Sequence, residues 1–88
     1  MVGKFAISKA GHDKDKLYVI VACDGMFVYV CDGRLRPVDR PKRKRLKHIQ
    51  IINQTVQEEL LHKLEHHEKI MDEEIKYAIK HYNDPTFF

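Results

Sequence analysis

Apolar and polar positions alternate along this chain at two different periods, and the period changes near residue 54. From Gly3 to Lys9, Phe5 and Ile7 alternate with Lys4, Ala6 and Ser8, the period-two pattern of a half-buried strand. Gly11 to Lys16 is polar and predicts a loop, and the β-branched run Leu17–Cys23 predicts a more deeply buried strand. Asp24-Gly25 supplies the residues of a two-residue hairpin turn. Met26–Cys31 then returns antiparallel, with Phe27, Tyr29 and Cys31 on one face and Met26, Val28 and Val30 on the other. Asp32-Gly33 turns the chain again. Arg34–Val38 is expected as a short strand that Pro37 confines to an edge, Arg40–Arg45 as a basic loop, and Leu46–Ile52 as a fifth strand. Five short strands with tight turns predict a small β-barrel over residues 1–53.

The second period is helical. Val56, Leu60, Leu61, Leu64, Ile70, Met71, Ile75, Ala78, Ile79 and Tyr82 recur at three and four residues and leave Glu and Lys on the opposite side. Thr55-Val-Gln-Glu58 fits a capping box, which sets a helix start at Thr55. His66-His67 interrupts the pattern and Asp72-Glu73-Glu74 forms an acid-rich first turn. Two short amphipathic helices are therefore expected, over 55–67 and 72–82, with Asn83-Asp84-Pro85 ending the second. Residues 54–88 read as an acidic helical appendage packed on the barrel.

Charge divides the chain at the same place. Residues 1–53 hold twelve Lys and Arg against five Asp, while residues 54–88 hold four Lys against eight acids. A basic front half suggests a polyanion as partner, and an acidic rear half leaves room for a protein partner. Arg40, Lys42, Arg43, Lys44, Arg45 and Lys47 put six cations into eight residues, a density suited to phosphates through counterion release. Pro37 and Pro41 stiffen that segment.

Gly3-Lys-Phe-Ala-Ile-Ser-Lys-Ala-Gly11-His-Asp-Lys-Asp-Lys16 resembles the KOW motif, a strand, a loop with a near-obligatory glycine, a basic tip and a second apolar strand. Gly11 stands at that glycine, and Asp15 stands where a second glycine is usual. Asp32-Gly-Arg-Leu-Arg-Pro-Val-Asp-Arg-Pro-Lys-Arg-Lys-Arg-Leu-Lys-His48 is similar to the fourteen-e family of large-subunit ribosomal proteins. The resemblance implies an SH3-like five-stranded barrel of the KOW type and binding to structured ribosomal RNA, in a cytoplasmic protein acting in translation at the large ribosomal subunit. The RNA-binding residues then expected are Lys9, His12, Lys14, Lys16, Tyr18, Arg34, Arg36, Arg40, Lys42, Arg43, Lys44, Arg45, Lys47 and His48. Phe27, Tyr29 and Tyr18 are aromatics able to stack on unpaired bases; Tyr18, next to the basic loop, is preferred, and Phe27 is assigned to the core. A protein-interaction module of a transcription or translation complex is the alternative.

Other chemistries find little support. Met1 to Ala10 alternates lysine with apolar residues, unlike a secretion signal, and Leu17–Cys23 is too short to span a bilayer, so no membrane role is expected. Cys23 and Cys31 lack zinc-knuckle spacing and read as free, buried thiols, with a cross-strand disulfide left open. His62 and His66 stand one helical turn apart but lack a third ligand, so they read as solvated histidines and no metal or other cofactor is expected. No nucleophile elbow, phosphate loop or carboxylate pair is present, so catalysis is not expected.

Overall fold

The computed structural model describes residues 1–86. Its elements are β1 (Lys4–Ser8), β2 (Leu17–Asp24), β3 (Phe27–Cys31), β4 (Lys42–Arg45), a 3₁₀ turn (Leu46–His48), β5 (Ile49–Thr55), α1 (Glu58–Glu65) and α2 (Asp72–Asn83). The strands form one antiparallel sheet in the order β4-β3-β2-β1-β5, so the first strand pairs with both the second and the last.

Alternation along the strands builds two apolar layers, one on each face of the sheet. Ala6, Tyr18, Ile20, Val28, Val30 and Ile49 pack together on the inner face, with Leu46 beside them. Phe5, Val19 and Cys31 point the other way and meet Leu60, Leu64, Ile75 and Ala78 of the helices. The Phe5 and Tyr82 rings lie 4.8 Å apart between their centroids. The inner face has no helix over it. The two ends of the sheet bend toward each other over it: the Lys44 ammonium on β4 donates to the Ser8 hydroxyl on β1 at 2.8 Å. Those two strands are three places apart in the sheet, roughly 14 Å if it were flat, beyond a lysine's reach. The sheet is therefore strongly curled.

The two helices are held to each other and to the sheet by polar clasps as well as by packing. Lys63 of α1 donates to Glu74 of α2 at 2.8 Å, which holds the Glu74 carboxyl below its usual range. Glu74 also accepts the Met71 backbone N–H at 2.9 Å, an N-terminal cap for α2. Asp72 accepts the Val38 N–H at 2.8 Å and so ties α2 to the segment that leaves β3.

Several boundaries differ from the sequence reading. Arg34–Val38 is not a strand, because the Asp32 carboxylate accepts the Arg34 and Arg36 N–H groups at 2.8 and 2.9 Å and winds the segment into a turn. The expected loop at Arg40–Arg45 contains strand β4, paired with β3 from Lys42 to Arg45. The expected fifth strand at Leu46–Ile52 is split: a 3₁₀ turn takes its first three residues, and β5 runs on to Thr55. Thr55 therefore does not cap a helix; it pairs with Lys4 in the sheet, and α1 starts at Glu58 after Gln57. A domain boundary at residue 53 falls inside β5. The β2–β3 hairpin turns on Gly25-Met26, one residue later than expected, since Asp24 is paired with Phe27. Both cysteines are free, but only Cys31 is buried; Cys23, at the open end of β2, is exposed.

Candidate nucleic-acid interface

Cations from three segments of the basic half, Arg36, Lys44 and Lys16, act on one acidic side chain, Asp13. The β1–β2 loop starts beside the 3₁₀ turn, where the Lys9 N–H donates to the His48 carbonyl at 2.8 Å. Within the loop Gly11 has φ +78°, with open space where a β-carbon would be, and Asp15 has φ +70°. Both positions are left-handed, a conformation that glycine adopts freely and aspartate better than most residues. The loop folds Asp13 inward until its side chain is 12% exposed, where Arg36 lies 3.6 Å and Lys44 3.7 Å from its carboxylate. Burial alone would raise its pKa. The Arg36 and Lys44 charges, the Tyr18 hydroxyl and Lys16 outweigh it and hold Asp13 below the ordinary carboxylate value. Lys44 also reaches the Ala10 carbonyl at 3.4 Å, so strand β4, the 34–40 turn and the β1–β2 loop share one set of contacts.

Two residues expected to meet RNA are committed elsewhere. Tyr18 is 1% exposed in the inner core, with its ionisation pushed up to about 12 by burial and by Asp13 and Asp32. Its ring is not offered to a base, because Tyr18 falls on the inward side of the β2 alternation with Ile20. Lys44 has a side chain only 10% exposed and spends its ammonium on Ser8, Ala10 and Asp13. Arg36 and Lys42 are half-buried. The remaining cations and histidines, Lys9, His12, Lys14, Lys16, Arg34, Arg40, Arg43, Arg45, Lys47 and His48, are exposed.

Strand β4 sorts its four cations by face. Lys42 and Lys44 oppose Val30 and Val28 on the inner side, while Arg43 and Arg45 oppose Tyr29 and Phe27 on the outer side. The Arg43 guanidinium lies over the Phe27 ring, 4.3 Å from its centroid, with Arg45 at 5.7 Å. Phe27 and Tyr29 pack in neither core layer. Tyr18, expected beside the basic loop as the stacking aromatic, is thus the buried one, and Phe27, expected in the core, lies half-buried outside both layers. The signal was the face shared with Cys31, which the helices cover only at the Cys31 end.

On α1 the His62 and His66 rings stack at 4.0 Å, and His66 Nδ1 lies 2.8 Å from the His62 carbonyl. Among the described residues no group of three or more His, Cys, Asp or Glu side chains is arranged to hold a metal ion. No described helix is long and apolar enough to cross a membrane. A scan against protein-family models and a search of curated proteins return no match to this chain.

Proposed function

We propose that the protein binds RNA through the outer face of β4 and the loops beside it, as a ribosome-associated factor with an SH3-like barrel of the KOW type. The observation that carries this reading is the division of β4, which buries Lys44 as a structural cation and turns Arg43 and Arg45 outward beside two aromatic rings. Arginines on a rigid strand lose less conformational freedom on meeting phosphates than arginines on a tail. The barrel reading is supported by the curl of the sheet, by pairing of the first strand with the last, and by the 3₁₀ turn between β4 and β5. The ribosomal part rests on the resemblance of residues 32–48, and a cytoplasmic location goes with it.

The test is the salt dependence of binding to ribosomal RNA fragments. If about four cations meet phosphates, log affinity falls against log salt with a slope of roughly −3. Arg43→Gln with Arg45→Gln should weaken binding to every fragment and flatten that slope by about one to two. Lys69→Gln with Lys76→Gln, on the acidic half, is the control and should change little. Equal effects from the two pairs, or none from the first, would sink the reading and leave a protein partner for the acidic helices in front. Co-sedimentation with large ribosomal subunits, lost on RNase treatment, tests the ribosomal assignment separately.

A further inference from the structure

The outer face of the sheet is covered unevenly. The helices end their cover at Cys31, and the rest of β3 carries Phe27 and Tyr29 outside both core layers. These two lie two residues apart on one strand, so their side chains leave the backbone roughly 6.7 Å apart along it. Stacked bases in a duplex strand follow one another at roughly 3.4 Å, half that distance. Bases splayed out of an unpaired strand can match the wider spacing, and a duplex cannot. Charge complements the rings: Arg43, an exposed residue, rests its guanidinium on Phe27, with Arg45 beside the same ring. A guanidinium held on a ring is itself a surface on which a base stacks.

We propose that Phe27, Tyr29 and Arg43 form a stacking platform for two neighbouring unpaired bases of RNA, with Arg45 beside it for the linking phosphate. The inference rests on the RNA-binding reading and adds a substrate class to it: single-stranded segments, such as loops or bulges, in place of helical RNA. The platform is sequence-tolerant, since every base has a flat face.

The experiment compares the full chain's affinity for a single-stranded RNA of about ten nucleotides with its affinity for the same strand annealed to its complement, at one salt concentration. The single strand should bind at least about tenfold more tightly. Tyr29→Leu and Phe27→Leu keep apolar bulk and should each weaken single-strand binding roughly five- to a hundredfold, with the duplex affinity and the salt slope unchanged. Arg43→Lys keeps the charge but loses the plane, so it should weaken the single strand and spare the duplex. Circular dichroism confirms the fold of each variant, and if Phe27→Leu unfolds, the other two carry the test. Equal binding of the two RNA forms, or unchanged single-strand affinity in the folded variants, would overturn the platform while leaving RNA binding in place. Failure of the parent chain to bind RNA in either form would instead remove the RNA reading itself, and the platform with it.

Discussion

A carboxylate closed in by an arginine, a lysine and a tyrosine hydroxyl stays ionised at a pH where a free one is protonated, and Asp13 is in that position. Its contribution to stability is present in full above 3.8, the ordinary value, and is lost as the pH falls from there through its lower folded value. Asp13→Asn should destabilise the fold at neutral pH by about 1–3 kcal/mol, because Lys44 is left buried with a weaker partner. Urea denaturation at a series of pH values checks this: the gap between variant and parent should close as the pH drops below 3.8. Tyr18 works in the opposite direction. Its ionisation is raised from 10.0 to about 12, so the stability tied to its neutral form is lost only as the pH climbs through that interval. Neither role is legible from the sequence. His12-Asp13-Lys14 looks like a charged loop tip, and only the fold shows Asp13 turned under it.

The elements show which local signals survive in the folded chain. Strands β1, β2 and β3 are legible from their apolar and β-branched residues, but the half-buried pattern expected of β1 is overturned. Phe5 and Ala6 are both buried and Ser8 is more buried than Ile7, because the sheet packs on both faces, as it does at Tyr18, Val19 and Ile20 of β2. Strand β4 is hidden because its sequence is four cations, and it is a strand only through pairing with β3 and the neutralisation of Lys44 by Asp13 of the β1–β2 loop. The Thr55 capping box misleads because pairing with Lys4 holds Thr55 in the sheet. The end of α1 is a further case. His67 adopts φ +55°, while the Glu68 and His67 N–H groups return to the Lys63 and Leu64 carbonyls, a helix stop that normally uses glycine. His67→Gly should therefore raise stability by about 0.5–1 kcal/mol, read as a higher urea midpoint with an unchanged slope. Gly33 is the converse. It has φ +79°, and a β-carbon there would lie 2.6 Å from the Asp72 carbonyl oxygen, backbone that cannot step aside. Gly33→Ala should cost at least about 2 kcal/mol by pushing α2 off the sheet, measurable as a drop in melting temperature.

At the scale of the whole molecule, one sheet serves two cores, and the helices complete the outer one. Leu60, Leu64, Ile75 and Ala78 cover Phe5, Val19 and Cys31. Burying each large side chain contributes about 1.5–3 kcal/mol, so the two leucines and the isoleucine together approach the entire stability of a small domain. A chain ending at Gln57 should therefore lack a cooperative thermal transition. A melt matching that of the full chain would show the sheet to be independent. The change of period near residue 54 thus marks a change of secondary structure within one fold, which hydrophobic periodicity alone does not distinguish from a domain border.

The two thiols give this arrangement a chemical clock. Cys23 is open to reagent, whereas Cys31 is fully covered beneath the helices, and burial with the nearby Asp32 and Asp72 pushes its ionisation up to about 12. Only the thiolate attacks an alkylating reagent, so Cys31 is silent until the helices lift and water reaches it. Mass spectrometry of a timed alkylation should show one adduct at once and the second much later. The delay between them reports how often the helical cover opens, and Gly33→Ala should shorten it.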